Sequence, residues 1–292
     1  MIAIDWGTSS LRAYLLDHAG RVQAARSSAQ GILTVESDRF SDTLESLVGD
    51  WIGSGAAPIV MSGMIGSRQG WLEVPYVQCP AGFTEIRAGL RPVRWKEQVA
   101  WIVPGVSCRD ESAVPDVMRG EETQVLGAMD QLGEGRHLLC LPGTHSKWVE
   151  VEDRRIVRFA TYMTGESFAV FKSHSILGRM MKEDMPDSAA FDAGLRRSAD
   201  DGGVLHHLFG VRTRGLFDEI SGNAAASYLS GILIGHEIRA ARASAGIVHL
   251  LGSAQLAETY SRALAILGVS SAILPPDAAA GALYELAQQL QP

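Results

Sequence analysis

The sequence predicts an α/β protein of two domains, each built on a mixed sheet that helices cover. Three observations lead to this prediction. The chain has 292 residues, of which 46% are hydrophobic, and it is long enough for two domains with separate cores. Two stretches, beginning at Ile2 and at His137, each contain short apolar strands separated by turns. Helical spacing of apolar residues dominates from Phe168 to about Ala243.

The first stretch has the elements of a ribonuclease-H-like domain. Residues 2–17 contain an apolar strand, a turn of small residues and a second strand, and a third strand follows at 21–27. Apolar residues then recur every three or four positions through 40–51, which predicts an amphipathic helix. A buried strand at 58–63 runs into a glycine loop. Three antiparallel strands, a crossover helix and a further strand suit a mixed sheet with helices packed on it.

The second stretch repeats this plan without repeating the sequence. Apolar strands at 137–141, 148–151 and 156–159 are spaced as a meander, and a strongly apolar helix begins near Asn223. We therefore expect a N-terminal domain of residues 1–132 plus 277–292 and a C-terminal domain of residues 133–276.

Composition excludes several classes of function. A net charge of -7 and a pI near 5.6 argue against a broad nucleic-acid surface, which requires clustered Lys and Arg. The three cysteines are about thirty residues apart, so we expect reduced thiols rather than a metal site or a redox pair. The first strand begins at residue 2 and no apolar run has the length of a membrane span, so we expect a cytoplasmic protein.

The turn that ends the first strand predicts a phosphate-binding hairpin, which we call the first hairpin (residues 2–16). Asp5 stands at the end of the strand, where a carboxylate can hold a phosphate-bound Mg²⁺. The next small residues can surround phosphate oxygens with amides and hydroxyls: Gly7, Thr8, Ser9 and Ser10. The alternative is an ordinary turn, since these residue types are common in turns.

A second hairpin (residues 141–149) has the same character. Its turn contains Gly143, Thr144, His145, Ser146 and Lys147, between two apolar strands. It is not a Walker A loop, because it lacks that glycine and lysine spacing and continues into a strand. Lys147 either pairs with phosphate or lies on a solvated face.

Two further segments bear on nucleotide binding and packing. Residues 247–256 form a strand, a Gly-Ser turn and a helix start, where Gly252 can approach a flat base and Ser253 can cap the helix. The alternative is a simple strand-to-helix turn. The small-residue helix at 277–283 permits close packing.

Adjacent acids begin a helix between the two hairpins. Glu121 and Glu122 follow Arg119 and Gly120. Because neighbouring positions do not share a helix face, we expect only one of the two acids to take part in catalysis. We favour Glu121 as the base, with Glu122 next. The alternative is that both only stabilise the helix dipole.

The order of these segments resembles the actin, hexokinase and sugar-kinase superfamily. Four longer strings are similar to those of the 2-dehydro-3-deoxygalactonokinase family: 62–71 (SGMIGSRQGW), 118–124 (MRGEETQ), 142–148 (PGTHSKW) and 228–235 (YLSGILIG). The resemblance implies an actin-like ATPase architecture with an interdomain cleft. It implies transfer of a phosphoryl group from ATP, with Mg²⁺, to the C6 hydroxyl of 2-dehydro-3-deoxy-D-galactonate. Asp5 and Glu121 are then the catalytic residues.

An acid substrate implies a carboxylate-binding residue. Arg68 is our first candidate, because a guanidinium binds a carboxylate in a bidentate way, and Arg119 is the second. The alternative for Arg68 is a surface arginine. Weaker candidates for the sugar pocket are Ser67, Trp71, Tyr76, Glu166 and Ser167.

Two other functions remain open from the sequence. One is an actin-like or chaperone-like ATPase without a sugar substrate, because fold does not fix function. The other is a kinase for a related sugar acid. We expect no nucleic acid or membrane partner, and the sequence leaves homo-oligomer formation open.

Overall fold

The computed structural model describes residues 1–36, 38–52, 58–181, 186–241, 246–275, 278–288 and 290. The chain divides into two compact units. Unit 1 comprises Met1–Arg136, Glu150–Phe159 and Asp277–Pro292, and unit 2 comprises His137–Val149 and Ala160–Pro276. The predicted boundary between residues 276 and 277 lies outside the described residues.

The strands of the described residues are, in chain order, β1 (Ile2–Trp6), β2 (Leu11–Leu16), β3 (Val22–Ser28), β4 (Ile59–Gly63), β5 (Val77–Gln78), β6 (Arg91–Trp95), β7 (Gln98–Ile102), β8 (Val106–Arg109), β9 (Pro115–Met118), β10 (Arg136–Leu141), β11 (Ser146–Glu152), β12 (Arg155–Tyr162), β13 (Ile247–Leu250) and β14 (Ser270–Ile273).

The α-helices of the described residues are α1 (Phe40–Ile52), α2 (Phe83–Ala88), α3 (Glu121–Ala128), α4 (Thr164–His174), α5 (Ser188–Arg197), α6 (Gly203–Leu216), α7 (Gly222–Ala240), α8 (Ala254–Ile266) and α9 (Ala278–Ala287). None of the helices in the described ranges is both long and apolar enough to cross a bilayer.

The larger sheet of unit 1 has the strand order β3-β2-β1-β4-β7-β6. Strands β1, β2 and β3 pair antiparallel, whereas β4 runs parallel to both β1 and β7. Helix α1 makes the crossover from β3 to β4 and buries Phe40 edge-on against Trp6, with ring centroids 5.5 Å apart. The predicted meander, crossover helix and buried strand are therefore confirmed.

The second sheet has the strand order β12-β11-β10-β13-β14, in which β10, β13 and β14 run parallel. The two sheets share one arrangement: the third, second and first strands of a meander lie side by side, and the fourth strand and a later one continue the sheet beyond the first. Helix α7 packs against α4, α5, α6 and α8, which explains why it is apolar on every side. The predicted α/β class, with two mixed sheets flanked by helices, is confirmed.

The small-residue helix α9 packs in unit 1, against α3 and against strands β1 and β4. It comes close to α3 at Ala278 and Gly127, where a Cβ on Gly127 lies only 1.8 Å from the Ala278 carbonyl oxygen. Asp277, which the sequence places in this helix, lies outside the described residues.

We expect Gly127→Ala to destabilise the protein by about 2 kcal/mol, because the added methyl overlaps the backbone of Ala278 and forces it to shift. Thermal unfolding measures the effect as a lower Tm. Gly281→Ala on α9 is the matched control, since a Cβ there meets nothing within 4 Å. It should raise stability by about 0.5 kcal/mol through helix propensity. Equal Tm values for Gly127→Ala and the wild type contradict the packing.

Candidate active site

The first hairpin ends in a tight turn that a neighbouring loop supports. The Gly7 amide donates to the Ser10 carbonyl at 2.9 Å, and the exposed Thr8 and Ser9 form the tip. The amides of Ile32 and Leu33 donate to the carbonyls of Gly7 and Thr8 at 3.1 and 3.2 Å. The turn is therefore fixed from one side while its tip remains accessible.

A glycine that sequence reasoning missed makes this support possible. At Gly31, a Cβ lies 2.3 Å from the Ser9 amide nitrogen and from the Thr8 carbonyl oxygen. Only a glycine lets the loop cross the turn at this distance. The sequence feature that could have identified Gly31 is its position in the segment that leads from β3 back to the turn of the first hairpin.

Asp5 lies near the carboxyl end of β1, between Arg12 of β2 and Ser62 of β4 in strand register. Burial raises the pKa of the Asp5 carboxyl, and the positive charge of Arg12 partly offsets that rise. A nearby cation would stabilise the ionised form of a carboxyl group in this position.

The first turn of α3 lies against the same strand ends. Gly63, the last residue of β4, has φ +94°, and a Cβ there lies 2.6 Å from the Trp6 carbonyl oxygen. A Cβ on Gly120, which has φ +108°, lies 3.3 Å from the Gly63 Cα. Thr123 of α3 also donates its hydroxyl hydrogen to Ser62 Oγ at 3.5 Å. These contacts bring the acids of α3 to the end of the sheet that carries Asp5.

The two acids of α3 have different surroundings. Glu121 is partly exposed, and its Oε2 accepts the Arg119 amide at 3.1 Å. Glu122 is fully buried; its Oε2 accepts the Gly120 amide at 2.6 Å, and its Oε1 has no hydrogen-bond partner. Burial, and then the negative charge of Glu121, raise the pKa of Glu122 to about 8. Glu122 is therefore largely protonated at neutral pH.

The two candidate arginines also differ. The Arg68 side chain is 82% exposed, and its Nε lies 3.4 Å from Glu73 Oε1. Arg119 is 8% exposed, and its Nη2 donates to the Val74 carbonyl at 2.7 Å. The surface position given as the alternative for Arg68 is the one that the structure shows.

The Arg119 guanidinium stacks on Tyr76, with Cζ 4.3 Å from the ring centroid. Its Nε and Nη1 are buried and have no hydrogen-bond partner, and the same holds for the hydroxyl of Ser67. Gly66 lies so close that a Cβ there is 2.8 Å from Nη1. Trp71 is partly buried against the core of the larger sheet. The structure thus brings Arg119 and Tyr76 together.

In unit 2, the first turn of α4 lies on the second hairpin. A Cβ on Gly165 is 2.4 Å from the Gly143 carbonyl oxygen, and the Glu166 amide donates to the Thr144 carbonyl at 2.9 Å. The side chains of His145 and Glu166 are joined by a short hydrogen bond. Thr144 and His145 are exposed at the tip of the turn. Glu166, predicted for the sugar pocket, therefore contacts the second hairpin, and Ser167 lies in the same helical turn.

Lys147 is not on a solvated face. It is 5% exposed, and its Nζ donates to Thr161 Oγ1 at 2.9 Å. The residues on either side, Ser146 and Trp148, are also buried. They belong to a hydrogen-bonded network around Glu237 that sequence reasoning missed. The available signal was a lone acid in a strongly apolar helix.

The Gly-Ser turn lies beside the start of the second hairpin. The Leu251 amide donates to the Cys140 carbonyl at 3.0 Å, and a Cβ on Gly252 is 3.5 Å from the Pro142 carbonyl oxygen. Gly252 has φ +145°, which favours glycine. Ser253 is the N-cap residue of α8, but its side chain makes no capping hydrogen bond, so the predicted side-chain cap was wrong.

The sequence matches one protein family along nearly its whole length. The profile of the 2-keto-3-deoxy-galactonokinase family matches residues 5–286. A relative from Rhizobium meliloti, named as a 2-dehydro-3-deoxygalactonokinase, is 39% identical over 95% of this chain and 92% of its own. The 2-dehydro-3-deoxygalactonokinase of Escherichia coli is 34% identical over 95% of this chain and 94% of its own.

Solved structures agree with the sequence comparison. A crystal structure from Sinorhizobium meliloti that carries the same kinase name has a TM-score of 0.91 and 38% identity, covering 98% of both chains. The activator of the 2-hydroxyisocaproyl-CoA dehydratase from Clostridium difficile has a TM-score of 0.50 and 12% identity, covering 97% of this chain and 91% of its own. The latter likeness concerns the fold alone.

The raised pKa of Glu122 predicts a stability that falls with increasing pH. Between the unfolded value of 4.5 and the folded value of about 8, the folded protein holds a proton that the unfolded chain has lost. Glu122→Gln mimics the protonated acid. Its free energy of unfolding should therefore exceed that of the wild type by less than about 1 kcal/mol at pH 5 and by about 4 kcal/mol at pH 8.

Thermal unfolding of both proteins from pH 5 to 8 measures this difference. The control is Glu97→Gln, since the Glu97 side chain is 94% exposed, and its Tm should follow that of the wild type at every pH. A constant difference between Glu122→Gln and the wild type would show that Glu122 is ionised in the folded protein.

Proposed function

Because the chain belongs to the 2-keto-3-deoxy-galactonokinase family, we propose that it transfers the γ-phosphoryl group of ATP to the C6 hydroxyl of 2-dehydro-3-deoxy-D-galactonate. The products are 2-dehydro-3-deoxy-6-phosphogalactonate and ADP, and the reaction serves galactonate catabolism. The names of both curated relatives support this substrate. The proposed compartment is the cytoplasm, where ATP is supplied.

The observation that carries this proposal is the meeting of α3 with the strand end near Asp5. Phosphoryl transfer needs a group that orients and deprotonates the attacking hydroxyl, beside groups that stabilise charge on the phosphates. Glu121 is the accessible acid of α3, whereas Glu122 is fully buried and holds a proton at neutral pH. We therefore assign the base to Glu121, whose carboxylate accepts the C6 hydroxyl proton as the oxygen attacks phosphorus.

Asp5 is proposed to hold the metal ion. Within the described residues, no group of three or more His, Cys, Asp or Glu side chains is placed to bind a metal. Mg²⁺ fits a site with a single carboxylate, because it keeps several waters and takes its other ligands from the substrate phosphates. The partly buried carboxyl of Asp5, whose pKa is raised, suits a cation neighbour. When bound, Mg²⁺ neutralises charge that develops on the transferred phosphoryl group.

Nucleotide-binding roles are proposed for three turns. In unit 1, the tip of the first hairpin presents Thr8 and Ser9 to solvent. In unit 2, the tip of the second hairpin presents Thr144 and His145, and a Cβ on Gly143 finds no close neighbour, so a phosphate oxygen has room there. The turn at Gly252 and Ser253 is proposed to lie against adenosine.

Arg119 is the residue that we propose for the substrate carboxylate. Its guanidinium is buried, and no carboxylate of the described residues forms an ion pair with it. A buried charge without a counter-ion costs several kcal/mol. A substrate carboxylate supplies that counter-ion. Tyr76, which is 42% exposed and covers the guanidinium, has to move for the carboxylate to reach it.

The surroundings of Arg119 favour binding over a purely structural role. The Val74 carbonyl and the Tyr76 ring fix the orientation of the guanidinium and leave Nε and Nη1 without partners. The nearby Ser67 adds a buried hydroxyl that also lacks a partner. Arg68, by contrast, is solvated and already paired with Glu73, so it would contribute less free energy to the binding of a carboxylate.

The reaction is tested by ADP release from Mg-ATP with 2-dehydro-3-deoxy-D-galactonate, its gluconate epimer, galactonate or no sugar. Turnover should require a 2-dehydro-3-deoxy acid and be fastest with the galactonate form. Glu121→Gln is the control variant, which should bind ATP but lose most of kcat, because no base accepts the hydroxyl proton.

Each other outcome points to a different function. Turnover that does not depend on sugar indicates an ATPase, and preference for another sugar acid indicates a related kinase. A fully active Glu121→Gln beside an inactive Glu122→Gln moves the base to Glu122.

Replacing Arg119 with Met should raise KM for the sugar acid about 10- to 100-fold, since a charge-assisted bidentate contact is worth roughly 1.5–3 kcal/mol. KM for ATP should change less than about twofold, because Arg119 is not proposed to contact the nucleotide. Arg68→Ala is the matched control and should leave both values close to those of the wild type. Steady-state kinetics with each substrate varied in turn measures these constants.

Thermal unfolding separates lost binding from lost folding. Arg119→Met should keep its Tm, because it removes an unpaired buried charge without creating a large cavity. A raised KM for the acid in Arg68→Ala, with Arg119→Met unaffected, returns the carboxylate site to Arg68.

A further inference from the structure

We propose that Glu237 of α7 is a positioning residue for the second hairpin: its carboxylate holds the backbone on both sides of the phosphate-binding turn. This inference rests on the nucleotide role proposed for that hairpin. Glu237 lies in α7, outside the sequence motifs and away from the exposed tip of the turn.

Glu237 is 3% exposed within a helix whose other buried residues are apolar or small, apart from its tyrosine. Its Oε1 accepts the Trp148 indole N–H at 2.8 Å, and its Oε2 accepts the Tyr260 hydroxyl at 2.7 Å. Burial raises the pKa of Glu237, and hydrogen bonds from Thr164, Tyr260, Trp148 and Ser146 oppose that rise. The carboxyl group is therefore satisfied by donors of the protein itself, which leaves it no role as a ligand.

The partners of Glu237 lie on both sides of Lys147. Ser146 Oγ is 3.0 Å from the Tyr260 hydroxyl, so Ser146 contacts Glu237 through Tyr260 as well as directly. Residues two apart in a strand point to the same face. Ser146 and Trp148 of β11 thus both point toward the network, and Lys147 points to the opposite face, where it reaches Thr161. The network fixes which way the first residues of β11 face.

The other side of the turn is held through α4. Thr164, which bonds to Glu237, is the first residue of that helix. The next residue, Gly165, touches the Gly143 carbonyl, and Glu166 donates its amide to the Thr144 carbonyl. One carboxylate therefore holds the strand that leaves the turn and the helix start that packs on the turn.

A buried ionic group is rarely the cheapest way to stabilise a core, because apolar residues of similar volume often serve as well or better. The advantage of a buried ionic group is that its hydrogen bonds have defined directions. Hydrogen bonds from four side chains fix one geometry, whereas apolar contacts tolerate small shifts. A phosphate-binding turn needs that geometry, since a displacement of about 1 Å can cost a hundredfold in rate.

Tyr260→Phe tests the proposal, because it removes the hydroxyl that bonds to both Glu237 and Ser146 and keeps the ring. We expect KM for ATP, and the Kd of a non-hydrolysable ATP analogue by calorimetry, to rise about 3- to 10-fold, the value of one buried hydrogen bond. KM for the sugar acid should change less than about twofold. Tyr228→Phe is the matched control. Tyr228, in α7, is also buried; its ring lies under the Arg214 guanidinium, with Cζ 4.9 Å from the centroid, and it has no part in this network.

Both tyrosine variants should lose a similar amount of Tm, so a nucleotide effect confined to Tyr260→Phe cannot come from stability. An unchanged KM and Kd for Tyr260→Phe, or equal changes in both variants, overturns the proposal. Failure of the wild type to bind the ATP analogue overturns the nucleotide role itself.

Two substitutions of Glu237 separate geometry from charge. Glu237→Gln can still accept from Trp148 and can donate to the Tyr260 oxygen, which leaves that hydroxyl free to donate to Ser146. Its KM for ATP should stay within about twofold of the wild type, whereas Glu237→Ala should raise it about 10-fold or more. Equal losses in the two variants assign the effect to the negative charge and overturn the positioning role.

Discussion

The candidate active site of unit 1 depends on the contact between Gly63 and Gly120. Both residues have positive φ, and the space between the end of β4 and the start of α3 is smaller than a side chain. A larger residue at either position pushes the helix away from the strand ends, and with it both acids. The contact also explains the low exposure of Glu122, because the first turn of α3 packs directly on the end of β4. The catalytic proposal therefore depends on backbone packing before it depends on any charged group.

Local patterns in the sequence were sufficient for most of the fold. The three- and four-residue spacing of apolar positions through Phe40 and Trp51 predicted α1, and small-residue turns between apolar runs predicted both hairpins. These features are set by neighbours in sequence. The environments of Arg68 and Arg119 are not, since Val74 and Tyr76 surround one arginine and leave the other in solvent. Burial of Lys147 and the network of Glu237 likewise depend on contacts between distant segments, which periodicity does not encode.

The buried charges of the two units differ in how completely they are satisfied, and this difference separates their proposed roles. Glu237 has donors for both oxygens, so it can stabilise one arrangement of the backbone without any ligand. Arg119 has one partner for Nη2 and none for Nε or Nη1. An incomplete network is costly in the free protein, and a ligand of opposite charge recovers that cost on binding. Ser67 resembles Arg119 in this respect, because its hydroxyl is also buried without a hydrogen-bond partner.

Protonation of Glu122 affects the charge balance of the proposed reaction. Asp5 and Glu121 bring carboxyl groups to a region where ATP adds several negative charges. A second charge on α3 would oppose the nucleotide, and burial prevents it, since the pKa of Glu122 is about 8. The proton on Glu122 leaves a carbonyl-like oxygen that still accepts the Gly120 amide and so keeps the start of α3 in place. The acid next to the proposed base thus supports the helix geometry without adding repulsion, and this division of roles follows from the adjacent positions of the two residues, which face different directions from one helical turn.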